Sequence, residues 1–411
     1  MTNLLAFQSK WQKLKATMSP AELKHQQDLI DEAHNEAKAI LLGNPPAKVN
    51  SITDLAMVKT ALGEADIPLT ALNTSNAAAY VDNLGQIWGF RTYEQLDLGW
   101  VASLVYYNEY KNKKGSFGGD AQVIPIPNDA KIAIAGDWGT GYWRGADTPA
   151  AKVAALMTAA KPDYTIHIGD TYYAGTQDEM NNNLLNIWPK GKSGSFAIPG
   201  NHEMYCGDNF YNAILPTLCP LQNGVSYFAL QNDNWLIICL DTAYYASGDL
   251  YMNGSIMDQQ SGGEQVKWLM SILPKAGNRK IVIVTHHEPL DLGGSHITNL
   301  FGEINTLLMV NNLKLAFWYY GHEHNAAVYS ELSAMHYPAR CIGHGAIPYG
   351  VASDLSTATG TTVTWAETQS ANDPSYPNRI LNGYLVMELN GAAMTESLYS
   401  ENGDLRWSQV N

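Results

Sequence analysis

Five short runs of β-branched and aromatic residues, each delivering a group of metal-binding side chains, constrain this chain more than any other feature. Lys131–Ala135 leads into Asp137-Trp138-Gly139, Tyr164–Ile168 into Gly169-Asp170-Thr171-Tyr172-Tyr173, and Ser195–Ile198 into Gly200-Asn201-His202-Glu203. Ile281–Val284 leads into Thr285-His286-His287, and Leu315–Tyr320 into Gly321-His322-Glu323-His324. Short apolar runs bounded by glycine and polar residues read as buried strands. Sheets of α/β proteins carry their sites beyond the carboxyl ends of such strands. Asp, Asn, His and Tyr recurring at five strand ends form the donor set of a metal centre, and the fold class they predict is α/β.

In order, the clusters read D-x-G, G-D-x-x-Y, G-N-H-E, V-x-x-H and G-H-x-H. That ordered set resembles the purple acid phosphatase branch of the calcineurin-like metallophosphoesterases, over roughly residues 128–345. The resemblance implies an αββα sandwich with a dinuclear centre at one edge. It implies Asp137, Tyr173 and His324 as ligands of one ion, Asn201, His287 and His322 as ligands of the other, and Asp170 as the bridge. Most relatives in the wider superfamily carry a histidine two residues after the first aspartate, where this chain has Gly139. Tyr173 would supply the missing donor, and a phenolate, being hard and anionic, favours Fe(III). The second ion would be divalent zinc, iron or manganese, which nitrogen and oxygen ligands separate poorly. Two ions about 3.5–4 Å apart clamp a phosphoryl group, acidify water and steady a leaving oxygen.

His202 follows Asn201; in the family the corresponding histidine faces the substrate and would protonate the leaving alcohol or stabilise phosphoryl charge. Neighbouring residues of a strand face opposite ways, so His286 and His287 are not expected on one ion. The V-x-x-H register selects His287, leaving His286 as a substrate contact or a structural histidine. Arg144, after Tyr142 and Trp143, would bind phosphate in bidentate fashion or sit as a solvated loop arginine. His167 reads as a core residue, and His344, in a glycine-rich junction, as part of a turn or as a contact near the site.

Size and charge agree with an enzyme. A chain of 411 residues suggests two domains. A formal net charge of −14 argues against nucleic acid as a partner, because phosphate backbones are held by Lys and Arg. No apolar stretch approaches membrane-spanning length. The opening residues lack an uninterrupted apolar secretion segment, which fits a cytoplasmic protein, or a secreted or periplasmic one whose leader precedes this numbering. Cys206 and Cys219 flank a loop that a disulfide could close, whereas Cys239 and Cys341 lie in apolar runs and read as buried thiols.

Residues 1–120 read as a helical N-terminal region and 121–411 as the catalytic domain. Ser19-Pro20-Ala21-Glu22 has the form of a capping box opening a helix that Gly43 closes. Further helices are expected at Ile52 to Leu62, Asn76 to Trp88 and Tyr93 to Tyr110, with Lys111–Asp120 as linker. Plant purple acid phosphatases instead carry an N-terminal β-sandwich domain. The helices would narrow the site, form a dimer surface or simply stabilise the chain. Beyond residue 345, Tyr384–Leu389 and Thr395–Tyr399 read as a hairpin around Asn390-Gly391, Leu405–Trp407 as a last strand, and Ala352 to Asn378 as a long polar loop.

Together these readings predict a phosphoesterase acting on small phosphate monoesters, with Asp170 and His202 central to the chemistry. A phosphodiesterase or nucleotide phosphatase using the same centre is the enzymatic alternative, and a non-catalytic binding module the other.

Overall fold

The structure, a computed structural model, describes residues 80–411 apart from 89–90, 96–98, 112, 259–261, 293–295, 331–336 and 358–362, together with Pro20. Its strands begin with β1 (Tyr80–Val81), β2 (Ile87–Trp88), β3 (Val123–Pro125), β4 (Lys131–Ala135), β5 (Tyr164–His167) and β6 (Gly194–Ala197). They continue with β7 (Phe228–Gln231), β8 (Trp235–Cys239), β9 (Lys280–Val284), β10 (Leu315–Tyr320) and β11 (Ala326–Tyr329). The last are β12 (Ala339–Ile342), β13 (Val363–Ala366), β14 (Gly383–Asn390), β15 (Ala393–Ser400) and β16 (Leu405–Val410). A six-stranded sheet has the order β16-β15-β14-β4-β5-β6, and an eight-stranded sheet the order β13-β11-β12-β10-β9-β8-β7-β3. All five strands expected from the apolar runs are present: β4, β5 and β6 pair in parallel in the first sheet, and β9 and β10 in parallel in the second.

Alternation along these strands sets the layers. In β4, Ile132 and Ile134 join the apolar cluster between the sheets, which also takes Ile166, Phe196, Ile237, Val282 and Phe317. Ala133 and Ala135 face the other way, against Val153, Ala154 and Met157 of helix Pro149–Ala159. On the far side, Ile238, Ile283 and Trp318 pack against Leu269 and Ile272 of helix Glu264–Ile272 and Phe301 and Ile304 of helix Asn299–Val310. Two-residue periodicity thus produces the four-layer αββα arrangement, and each fully buried aliphatic side chain contributes roughly 1.5–3 kcal/mol. Thr148 and Thr298 start two of the helices by accepting from the amides of Ala151 and Phe301, as N-caps do.

One buried ion pair crosses the sandwich. Arg340 of β12 meets Glu396 of β15 with Nε to Oε1 at 2.9 Å and a terminal nitrogen to Oε2 at 3.0 Å, and the Tyr319 hydroxyl donates to Glu396 at 2.6 Å.

The N-terminal expectations fare differently. Those on residues 19–43 and 52–62 lie outside the described residues, Pro20 excepted. Residues 80–88 are a small antiparallel hairpin, β1 with β2, in place of the expected end of a helix. The Asp82 carboxylate accepts from the amides of Leu84 and Gln86, and Gly85 turns with φ +86° against Tyr349 and Gly350. A helix does follow, but it runs Gly99–Tyr110, and residues 91–95 form turns where its start was expected at Tyr93. The linker is docked: Lys114 Nζ donates to Tyr244 O at 2.6 Å, and Phe117 stacks on Tyr244.

Near the C-terminus the hairpin turns at Asn390-Gly391 as expected. The segment read as one long loop contains helix Ser353–Thr357 and strand β13, which extends the edge of the eight-stranded sheet beside β11. All four cysteines are buried free thiols, and Cys206 and Cys219 pack within one apolar cluster without a bridge. Among the described residues no helix is long and apolar enough to cross a membrane.

Candidate metal centre

Because β4, β5 and β6 end side by side in one sheet and β9 and β10 in the other, the residues just past them converge at one edge of the sandwich. Asp137 (φ 53°), Asp170 (φ 72°) and His322 (φ 65°) hold left-handed backbone there. That conformation costs a residue other than glycine roughly 1–3 kcal/mol and is concentrated at functional sites.

Two donor groups result, and they share Asp170. Ligand atoms of Asp137, Asp170 and His324 lie within 4.8 Å of one another, as do those of Asp170, His286 and His322. Tyr172 completes the first group, its hydroxyl 2.9 Å from Asp137 Oδ1, 2.9 Å from Asp170 Oδ2 and 2.7 Å from His324 Nε2. Asn201 completes the second. Its amide nitrogen donates to the Tyr205 hydroxyl at 2.7 Å, which leaves Oδ1 turned toward His286 Nε2 at 3.1 Å. His286 Nε2 also stands 3.3 Å from Asp170 Oδ1 and 3.1 Å from His322 Nδ1. One oxygen of Asp170 therefore serves each group.

The register at two doublets differs from expectation by one residue. Tyr173 does not enter the centre: its ring stacks on Tyr93 at 4.6 Å and its hydroxyl accepts from the Tyr93 amide. His287 is likewise turned away, with Nδ1 2.8 Å from Thr242 Oγ1 and Nε2 2.9 Å from Tyr251 O. His286, expected as a substrate contact or a structural residue, occupies the ligand position. Each pair does face opposite ways, although both lie past their strands in turns or bends, and the roles within each pair are exchanged. Arg144 is no phosphate clamp either. Its guanidinium is spent on Asp373, at 3.0 and 2.8 Å, and anchors the loop after Asp137 to the C-terminal segment.

Gly139 replaces the usual histidine for a steric reason. A Cβ there would lie 2.4 Å from the Thr171 Cα and 2.8 Å from the Asp170 carbonyl oxygen, because residues 139 and 171 pair as a parallel bridge. The backbone that carries Asp170 and Tyr172 thus occupies the space a side chain at 139 would need.

Charge is balanced tightly. Burial opposes ionisation of Asp170, yet His286 and His202 hold its carboxyl well below the usual carboxylate range. Burial likewise lowers His286, but Asp170 overcomes it and pushes the imidazole up to about 10. The Tyr172 hydroxyl is pushed well above its ordinary value by burial and by Asp137 and Asp170, so a strongly charged ion is needed to ionise it. The donors are carboxylate, imidazole, amide oxygen and phenol, and one carboxylate is shared. This set fits two hard or borderline cations.

Residues around the donors hold them in place. Glu203 Oε2 accepts from the amides of Asp170 at 2.9 Å and Gly200 at 2.6 Å, tying the loops after β5 and β6. His202 Nδ1 lies 2.5 Å from Tyr173 O; a carbonyl only accepts, so Nδ1 carries the proton and Nε2 faces the centre, 4.0 Å from Asp170 Oδ2. Trp100, from helix Gly99–Tyr110, lies edge-on to Tyr172 and His202 at 5.6 and 5.5 Å between ring centres. Nothing in the sequence around Trp100 marked it for the site.

Residues 130–326 match the family described as calcineurin-like phosphoesterase. No curated protein matches the sequence. Among solved structures, a purple acid phosphatase from yellow lupin (Lupinus luteus) seeds is similar at 12% identity and a TM-score of 0.46, covering 70% of this chain and 55% of that one. The chain thus spans about half the length of the lupin protein. PhoD is similar at 11% identity and a TM-score of 0.46, covering 72% and 70%. Vacuolar protein sorting 29 from Cryptosporidium parvum is similar at 14% identity and a TM-score of 0.31, covering 69% and 97%. The chain thus carries, over residues 130–326, a domain that matches the calcineurin-like phosphoesterases.

Proposed function

We propose that the chain hydrolyses phosphate monoesters at a dinuclear Fe(III)–M(II) centre, with M zinc, iron or manganese. The observation that carries this reading is the pair of donor groups joined by Asp170, one of which contains a tyrosine hydroxyl. Asp137, Asp170, Tyr172 and His324 would hold Fe(III), and Asp170, Asn201, His286 and His322 the divalent ion. Once bound, the ions supply Lewis acidity toward the phosphoryl oxygens and a nucleophile at moderate pH. His202, with Nδ1–H held on the Tyr173 carbonyl, presents Nε2 to the departing oxygen and, as the imidazolium, gives it a proton. Removing such a general acid lowers turnover roughly 10²–10⁴-fold. Asn201 and Asp170 orient the site through their fixed hydrogen bonds.

A cleft opens over the centre, lined by Asp170, Asn201, His202, His322 and His324, and a small phosphate ester is the substrate this reading places in it. Metal analysis of the purified protein is expected to return two equivalents, and a screen of monoesters and diesters across pH to favour monoesters. Changing Asp170 to Asn is expected to release one or both ions and to lower turnover by several orders of magnitude. Full activity and full metal content in that variant would overturn the two-ion reading.

A further inference from the structure

The centre is roofed from outside the matched domain. Residues 80–88, 91–95 and 99–111 reach across the ligand loops and are fixed there at several points. The Tyr93 hydroxyl donates to Thr140 O at 2.7 Å, on the loop that follows Asp137. Gly99 lies so close to the Tyr173 ring that a Cβ would meet it at 2.3 Å. The next residue, Trp100, is only 8% exposed, and its indole nitrogen donates to Glu94 O at 2.9 Å, which fixes the plane of the ring. Gln86, Gln95 and Trp100 supply one wall of the cleft; Glu323 and Tyr349 contribute to the other, and the described lining residues include no Lys or Arg.

We propose that Trp100 is the specificity-determining residue of this site and limits the substrate to esters of small aliphatic alcohols. The inference rests on the phosphoesterase reading above. With the phosphoryl group held over the donors that line the cleft, the ester's alcohol must leave on the side of its proton donor. That donor is His202, whose ring faces the edge of Trp100 at 5.5 Å, so the alcohol and the indole compete for the same space. A bulky or aromatic alcohol meets Trp100.

The test uses the full chain loaded with metal, as wild type, Trp100→Ala and Trp100→Phe. Two readouts are compared: kcat/KM for ethyl phosphate and 1-naphthyl phosphate, and binding of methylphosphonate and 1-naphthylphosphonate by calorimetry. In Trp100→Ala the naphthyl-to-ethyl ratio is expected to rise roughly 10–200-fold, the range over which pocket-filling differences act, with a smaller rise in Trp100→Phe. The phosphonate binding ratio should shift in the same direction. Turnover of both esters with unchanged ratios in every variant would overturn the assignment of Trp100 and leave the phosphoesterase reading intact. No turnover of any ester, combined with a shifted phosphonate ratio, would overturn the catalytic reading and leave Trp100 as the gate. Should Trp100→Ala fail to fold, Trp100→Phe decides the matter on the same ratios.

Discussion

The Tyr172 hydroxyl lies 2.9 Å from Asp170 Oδ2, two residues back along the chain, and the same oxygen reaches Asp137 and His324. One phenol therefore touches three members of a single donor group, whereas Tyr173 packs beneath Tyr93 and Gly99. The chain departs from left-handed backbone at Asp170 into a tight turn, and that turn decides which tyrosine faces inward.

This arrangement separates the two tyrosines experimentally. A phenolate on Fe(III) gives a charge-transfer band in the visible range. Oxidised, iron-loaded protein is expected to be coloured, Tyr172→Phe to bleach it, and Tyr173→Phe to keep the band while loosening the packing of Tyr93 and Trp100. Visible spectra of the two variants at matched iron content are the measurement. A Tyr172→Phe protein that keeps the full band would exclude this hydroxyl as the ligand.

The histidine doublet gives a parallel prediction. His286 stands within 3.3 Å of Asp170 and 3.1 Å of His322, while His287 is held by Thr242 and the Tyr251 carbonyl. His286→Ala is expected to lose one of two metal equivalents and most activity. His287→Ala should retain both ions and lose stability by roughly 1–3 kcal/mol, the usual cost of leaving buried hydrogen-bond partners unmatched. Equal metal loss in the two variants would contradict this division.

Strand positions were legible in the sequence because they follow from local patterns, whereas Asp170 as the shared carboxylate came from the family resemblance. Apolar runs mark the strands, and the residue after each strand has little freedom of place. The choice within each doublet was not legible. It depends on whether the segment is still extended one residue past the strand end, and thus on tertiary contacts such as the close approach of Thr171 to Gly139. Arg144 was misjudged for a similar reason: its partner, Asp373, lies 229 positions away. The hairpin at Tyr80–Trp88 was read as helix because Ala77, Ala78 and Ala79 favour one, whereas Asp82, Asn83 and Gly85 impose a turn held by contact with Tyr349 and Gly350.

Between the sheets, the Arg340–Glu396 pair is bidentate and nearly without solvent exposure, at 3% and 0% of the side chains. Removing one partner leaves the other charged and buried, which costs roughly 3–5 kcal/mol. Chemical denaturation is expected to show a loss of that size for Glu396→Gln, with much of it recovered when Arg340→Met is added. An additive double variant would mean that the pair is not coupled.

Acid should destabilise the fold through His167, which packs beside the rings of Trp138 and Trp188, at 6.5 and 5.0 Å. Burial holds its imidazole down at about 3, and Nδ1 accepts from the Gly169 amide at 3.3 Å, so the folded protein carries it neutral. In the unfolded chain it takes a proton near pH 6.5. The folded pKa is the lower of the two, so the neutral residue's contribution is complete above about pH 6.5 and is lost as pH falls toward 3. Across that window the unfolded state binds about one more proton at this residue than the folded state. His167→Gln, which keeps an acceptor for Gly169, is expected to remove that share of the slope of unfolding free energy against pH while leaving the slope above pH 7 unchanged. Chelator-treated protein is the material to use, because release of metal by acid would otherwise add to the same slope. Identical slopes for wild type and variant between pH 6.5 and 4 would show that His167 does not enter the fold as a neutral residue.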